Sequence, residues 1–481
     1  VHWKLDPSIR QAILAEITPT RAEIERQKRA IDDLTAALIC SARSNEDNYS
    51  FIQPQGSTGR KQTQLRGTSD IDLFVALKPE KFQYILSKPA RDRHAALDKT
   101  LDGMIDSWFI PALQSIGISE LQKTYSQHPY LSAKYLENEV DVLVCFDLDR
   151  QRIAEEGPIT AVDRTVHHSD YIADRLTVQL REDVRLLKSF VRASHAYGDT
   201  CAVGHMGFTG VSLEILVVHH SGLIGALECI SNLHDTPLDP LGRSYAELRD
   251  ISGFKDDFIF IIDPTDTNRN IASSFSKRAY EWVKTRINQL DGEQIQSRDI
   301  VEWFLEQPIP ITPIPNSIRK HAFAYEFLSS GELHYTVVRD KLYRLGKTIS
   351  RVLEHERTGE RRFGRVAFEV YFEKNNFALG FLVEEPSISR TYRRRGPPTN
   401  IDAAQEFMKT HGDAYERDGH LWVDSSRKWT HPDGLIKSLI DDHLPRGIKA
   451  MPRLTDVGRR LLNTLYLYVL PLEDFALKPR V

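Results

Sequence analysis

Two aspartates one residue apart, Asp70 and Asp72, stand at the entry of a short apolar run, Ile71 to Leu77. The run is short and β-branched enough to be a strand. Residues two apart in a strand point to the same face, so the two carboxylates project side by side, close enough to share divalent cations. A second run, Val140 to Phe146, has one polar interruption, Asp141. A carboxylate in a buried strand is costly unless it is paired or bound to a metal. Upstream lie Gly56 and Ser57, with twelve residues between Ser57 and Asp70. A small residue and a hydroxyl at a helix start leave backbone N–H groups open to a triphosphate, and Arg60 adds a charge-assisted contact. Asp-x-Asp alone is common on surface loops, and Gly-Ser alone says less. The joint pattern implies a nucleotidyltransferase site. Magnesium is the expected ion, since it combines one or two carboxylates with substrate phosphates, and two such ions clamp both oxygens of an in-line displacement.

The chain has 481 residues, which suggests about three domains. Apolar residues make up 41% and charged residues 27%, an ordinary balance for a soluble globular protein. No run approaches the ~20 apolar residues of a membrane span, and the first thirty residues mix charges in a way no signal peptide does. Cys40, Cys145, Cys201 and Cys229 show no CxxC spacing, which fits a cytoplasmic location and neither a disulfide framework nor a zinc ribbon. The net charge of −4 means that RNA binding must rest on local basic surfaces.

The first part, to about residue 155, reads as mixed α and β, with a helix from Pro19 to Ser41. Helical patterns follow over Tyr171–Tyr197, with Gly198 as the stop, over Ser212–Cys229, and over Ser273–Leu290, opened by capping serines. Gln307-Pro308-Ile309-Pro310-Ile311-Thr312-Pro313-Ile314-Pro315 is the clearest linker, because its prolines favour an extended spacer. Beyond it, Val338, Leu342, Leu345, Ile349 and Leu353 mark a helix. Val366, Phe368, Val370 and Phe372, then Phe377, Leu379, Phe381 and Val383 about Asn375-Asn376, mark a β-hairpin.

The sequence resembles the archaeal (class I) CCA-adding enzymes, the tRNA nucleotidyltransferases. Beyond the shared signature, the resemblance runs through His128-Pro129-Tyr130, Ala161-Val162-Asp163-Arg164-Thr165, His167-His168 and Val184-Arg185-Leu186-Leu187-Lys188. It continues in Tyr197-Gly198, Asp263-Pro264, Arg269-Asn270, Ser389-Arg390-Thr391-Tyr392-Arg393-Arg394 and Arg427-Lys428-Trp429-Thr430. The segment between Ser57 and Asp70 looks one residue longer than usual, around Lys61-Gln62, and the stretch from about Leu444 matches poorly.

The resemblance implies an α+β, multidomain fold. It comprises a polymerase-β-like mixed-sheet head over 1–160, a helical nucleotide-binding neck over 161–292, an α/β body over 293–362 and 441–481, and a tRNA-binding tail over 363–440. It also implies that Asp70, Asp72 and Asp141 hold the metal ions and that Ser57 and Arg60 contact the triphosphate. Thr165, His168, Lys188 and Tyr197 would bind the phosphates and sugar, and Arg269 would help read the incoming base. The implied activity is template-independent addition of C, C and A to the 3′ end of tRNA from CTP and ATP. The partners are then the tRNA acceptor end and elbow, with no membrane; a homodimer is compatible with this.

Arg390, Arg393, Arg394 and Arg395 form a basic segment suited to phosphates, with Tyr392 available for stacking; the resemblance assigns them to tRNA. Arg361, Arg362 and Arg365 have the same composition, and a solvated charged loop is the plainer account of them. Adjacent histidines, His167-His168 and His219-His220, do not make a zinc site, because neighbours on a helix point apart. Tyr125, near His128, reads equally as a pocket or a core residue. Two other functions fit parts of the pattern. One is another terminal transferase, such as a poly(A) or oligoadenylate polymerase or a cyclic-dinucleotide synthase; the other is a catalytically silent RNA-binding relative. The ordered blocks from Ala161 to Lys188 argue against the first, and the three retained aspartates against the second.

Overall fold

Strand alternation organises the N-terminal part of the chain. The computed structural model describes residues 5–475 apart from 69, 293–296 and 332. Tyr49–Pro54 (β1), Asp70–Leu77 (β2), Leu121–Tyr125 (β3), Pro129–Tyr135 (β4) and Asn138–Phe146 (β5) form one sheet in the order β1-β2-β5-β4-β3. β2 and β5 are parallel and the remaining pairs antiparallel, which makes the sheet mixed. Ile71, Leu73, Val75 and Leu77 join Val140, Val142, Val144 and Phe146 in a core with helices Arg21–Cys40 and Ala90–Met104. The period of two therefore turns Asp70, Asp72 and Asp141 to the opposite face, where Phe74, Ala76 and Cys145 pack further along with Val162 and Val166.

Two expected helices are each broken in two. Tyr171–Tyr197 reads as one helix, but the chain forms Asp163–Ala173 and Val178–Ala193. The hydroxyl of Thr177 accepts from the Leu180 amide and starts the second helix afresh. Ser212–Cys229 likewise becomes Gly210–His219 and Leu223–Asn232, bent by 110°. Ser221 and Gly222 stand between them with φ of 57° and 150°, values that no α-helix continues through. The third helix runs Lys277–Gly292. It starts later than its serines suggest, because the Ser276 hydroxyl bonds the Met206 amide at 2.7 Å. Ile262–Asp263 (β6) and Asp266–Asn270 (β7) make a two-stranded ribbon.

The chain divides into two compact units. One comprises the chain up to Gly198 with Met206–Gln307, and the other Asp199–His205 with the described residues from Pro308 onward. The division at 307/308 falls at the start of the proline-rich segment. In the second unit, Ala322–Ser329 (β8), Val366–Glu373 (β9) and Asn376–Val383 (β10) pair, with β9 and β10 as the expected hairpin. Thr391–Pro398 (β11), Tyr415–Arg417 (β12) and His420–Ser426 (β13) form a smaller sheet, and Ile448–Ala450 (β14) joins the edge of β8.

The larger sheet lies between two apolar layers. Phe377, Leu379, Phe381 and Val383 face Val338, Leu342, Leu345, Ile349 and Leu353 of helix Tyr335–Glu354. Ala378 and Leu382 face Leu461 of helix Asp456–Thr464. The expected boundary between body and tail, at 362/363, crosses this sheet, since β10 pairs with β8 as well as with β9. The poorly matching stretch from Leu444 supplies β14 and the helix covering one sheet face. Among the described residues, no single helix is long and apolar enough to cross a membrane.

A Cβ on Gly380 would lie 2.9 Å from both Leu461 Cδ2 and Leu465 Cδ1. Gly380→Ala is expected to destabilise the protein by about 1–3 kcal/mol through overpacking, read as a lower urea midpoint at unchanged slope.

Candidate active site

The parallel register of β2 and β5 sets Asp72 directly opposite Asp141 and Asp70 opposite Glu139. On the next strand, Ser132 pairs with Asp141, and its hydroxyl donates to Asp141 Oδ1 at 2.6 Å. Burial pushes Asp72 up to about 6, with repulsion from Asp141 and Asp70 adding to it. Burial, then Glu139, raises Asp70 as well. Carboxylates that resist ionising together are those a cation relieves.

The Gly-Ser segment reaches this face without a helix. Gly56 to Lys61 is a turn, closed by the Gly59 amide on the Gln55 carbonyl at 3.1 Å. The Gln55 amide donates to the Asp72 carbonyl at 2.7 Å, and the Thr58 hydroxyl to the Asp70 carbonyl at 3.0 Å. Gly56 has φ +64°, and a Cβ there would lie 2.3 Å from Asp72 Oδ2. Only glycine brings the chain this close to that carboxylate. The helix start expected at Gly56-Ser57 is thus a turn, held by its bonds to the Asp70 and Asp72 backbone.

Beyond the turn lies a buried charge cluster that the sequence motifs did not reveal. Glu214, on helix Gly210–His219, accepts from Lys61 Nζ and Lys188 Nζ at 2.7 Å each. The Thr63 hydroxyl donates to Glu214 at 2.6 Å, and Lys188 Nζ donates to that hydroxyl at 3.0 Å. Burial works to raise Glu214, but the charges of Lys188 and Lys61 outweigh it and hold its carboxyl at about 2. Two lysines against one glutamate leave one positive charge in surplus, and the Lys61 charge reaches Asp72, His168 and Tyr197.

Helix Val178–Ala193 fixes the same loop from the other side. Arg181 donates to the Lys61 carbonyl at 3.0 Å, and Arg185 to the Gln62 and Gln64 carbonyls at 2.6 and 3.1 Å. Residues 181, 185 and 188 share one helix face. Gln62 folds this loop back on itself: its φ is 52°, and its side chain donates to the Thr58 and Gly59 carbonyls at 2.7 and 2.9 Å. Arg60 points elsewhere: it is exposed and ion-paired with Asp170 and Asp174.

The remaining expected residues form two groups. Tyr197 stands beside Lys188, since a Cβ on Gly210 would lie 3.0 Å from the Tyr197 hydroxyl and 3.5 Å from Lys188 Nζ. Burial, and then Glu214, pushes Tyr197 up to about 12. His168 and Arg269 meet at Asp263: Arg269 donates to its Oδ2 at 3.2 Å, and His168 Nδ1 lies 3.9 Å from it. Burial holds His168 below the usual imidazole range, against the opposing pull of Asp263. Thr165 lies one turn before His168 on helix Asp163–Ala173, which Asp163 anchors by accepting from the Phe146, Ile159 and Thr160 amides. Glu214 had one legible signal, as the lone acid in Leu213–Val218. Ser132 had none.

In the second unit the arginines separate. On β11, Arg393 and Arg395 are exposed, while Arg394 turns toward Phe407 and His411 of helix Ala403–Thr410. Arg390 is exposed at the edge, its carbonyl accepting from Arg427. Arg361 and Arg365 are paired with Glu384, Glu385 and Asp474, and Arg362 with Glu356, so this cluster is largely neutralised.

The family of tRNA nucleotidyltransferase second domains matches residues 182–294. A CCA-adding enzyme of Methanocaldococcus jannaschii is 26% identical over 91% of each chain. One of Methanopyrus kandleri is 25% identical over 89% of this chain and 85% of its own, and one of Pyrobaculum neutrophilum 28% over 82% of each. The E. coli MS115-1 CdnC structure with ATP superposes at a TM-score of 0.44 and 16% identity, over 62% of this chain and 96% of that one.

Replacing Glu214 by Gln leaves two buried lysines facing each other. The expected cost is about 3–5 kcal/mol, as for breaking one side of a buried ion pair. Because the folded-state pKa of Glu214 lies below its ordinary 4.5, its contribution is complete above that value and is lost as pH falls toward about 2. Urea midpoints between pH 7 and 2.5 test both points: Glu214→Gln should start lower and lose less on acidification.

Proposed function

We infer that this relative of the archaeal CCA-adding enzymes adds C, C and A stepwise to the 3′ end of tRNA, taking CTP and ATP and releasing pyrophosphate. One observation carries the reading: Asp70, Asp72 and Asp141 converge on one sheet face, beside a buried site with surplus positive charge. Resemblance along the chain supplies the substrate.

The residues fit a divalent ion, magnesium in this proposal. Burial and repulsion from Asp141 and Asp70 raise Asp72, and burial with Glu139 raises Asp70; that strain is relieved when a cation sits among them. When bound, such ions activate the primer 3′-hydroxyl and neutralise charge on the phosphates. The chain's own contribution is positioning, which is most of what phosphoryl transfer asks of a protein. Ser132 orients Asp141, and Gly56 sets the turn close to Asp72 with Ser57 next to it. Lys61 and Lys188, locked by Glu214, present the surplus charge to the triphosphate; Arg60, tied to two aspartates, takes the lesser part. Tyr197, Thr165 and His168 line the sugar and phosphate side. Arg269, held by Asp263, addresses the base. Arg390, Arg393 and Arg395 contact the tRNA backbone toward its elbow, and Arg394 supports them from beneath.

The direct test supplies the protein and magnesium with tRNA lacking its CCA end and each labelled nucleotide in turn. Incorporation of C and A only, ending after the third addition, is expected. Long A tails or products formed without tRNA would point to a different terminal transferase, and no incorporation to a silent RNA-binding protein. Asp141→Ala should abolish addition and leave tRNA affinity unchanged in a filter-binding assay; surviving activity would remove Asp141 from the site.

Strand alternation also makes a prediction for the tail. Arg393→Ala should weaken tRNA binding and lower its salt slope by about 1. Arg394→Ala should leave the slope unchanged and reduce thermal stability instead.

A further inference from the structure

We propose that His94, Asp98 and His128 form a second cation site, separate from the three carboxylates and suited to a zinc-type divalent ion. Helix Ala90–Met104 places His94 and Asp98 one turn apart on the same face. His128 comes from the turn between β3 and β4. One ligand atom from each residue lies within 4.8 Å of the others. His128 Nδ1 is 2.7 Å from Asp98 Oδ1, and His94 Nε2 is 3.6 Å from Asp98 Oδ2. The two imidazole rings lie 5.0 Å apart between centroids.

Three features favour an ion over a simple hydrogen-bonded cluster. Two imidazoles and one carboxylate are donors of the zinc, copper and nickel class, whereas magnesium prefers oxygen alone. His94 Nε2 is held by long contacts, a 3.3 Å hydrogen bond with the Tyr125 hydroxyl and 3.6 Å to Asp98, so little is lost when its nitrogen turns onto an ion. Tyr125 donates to Asp98 Oδ2 at 2.8 Å, the kind of outer contact that orients a ligating carboxylate.

The site is also reachable. His94 is 57% exposed, and His94 and His128 line a cleft of ≈ 610 Å³ with Gln83, Arg93, Arg152 and Glu156. Arg152 is already paired with Glu156 at 2.9 Å. With three protein ligands, the fourth position is left to water. An ion here ties the β3–β4 turn to the helix. That turn leads into β4, which carries Ser132 and so steadies the contact to Asp141.

Cobalt(II), titrated into the full chain with excess magnesium present, tests the site. Intense visible d–d bands that saturate at one equivalent and are displaced by zinc are expected. The bands should disappear in both His94→Ala and His128→Ala and persist in Asp141→Ala. Tyr125→Phe, which keeps all three ligands, should bind about 10–100-fold more weakly. Circular dichroism melts confirm that each variant is folded. Absence of intense bands, bands unchanged in both histidine variants, or bands lost in Asp141→Ala would each overturn the proposal.

Discussion

A single buried carboxylate, Glu214, governs the geometry of the N-terminal unit. It bonds Lys61 in the loop after the Gly-Ser turn and Lys188 in a helix more than a hundred residues later. Burying three charges carries a large desolvation penalty and recovers it only with close geometry. The cluster is therefore intolerant of displacement, and a loop that would otherwise drift is pinned. Arg181 and Arg185 extend the same grip to the backbone carbonyls of residues 61, 62 and 64. Through Gln55 and Thr58 the turn is bonded to β2 at Asp72 and Asp70. The helix, the loop and β2 thus form one connected hydrogen-bonded body.

That body sets opposite charges side by side. Asp70, Asp72 and Asp141 gather negative charge where burial makes it expensive, and the two lysines leave one positive charge over nearby. A triphosphate with its divalent ions has the complementary distribution, with cations toward the carboxylates and phosphate oxygens toward the lysines. Neither half is comfortable alone: burial raises the aspartates, and the lysine pair tolerates its repulsion only because Glu214 lies between them. Preorganised charge of this kind needs little rearrangement when the substrate arrives.

Much of this was legible from residue order. The period of two in Ile71–Leu77 and Val140–Phe146 placed the carboxylates on one face, and the alternation about Asn375-Asn376 announced its hairpin. The helix breaks were not legible, because Thr177 and Ser221-Gly222 interrupt apolar periodicity that continues on either side. The Gly-Ser segment reads as a helix start, since small residues and hydroxyls serve turns and caps alike. Glu214 and Ser132 carry no motif because their importance lies in partners brought together by tertiary contacts. The arginines at 390–395 illustrate the same limit: composition groups four of them, and β11 sends Arg394 to the side opposite Arg393 and Arg395.

The loop between Ser57 and Asp70, which reads from the sequence as one residue longer than usual, folds back on itself. Gln62 does this with a left-handed backbone, and its amide replaces the lost continuity by bonding the Thr58 and Gly59 carbonyls. A non-glycine residue in that conformation carries a cost, and these two bonds offset it. Arg60 faces outward to Asp170 and Asp174, and Lys61 takes the buried place beside Glu214. Lys61, whose charge reaches Asp72 and His168, is therefore the cation we propose for the phosphates, with Arg60 left a lesser part.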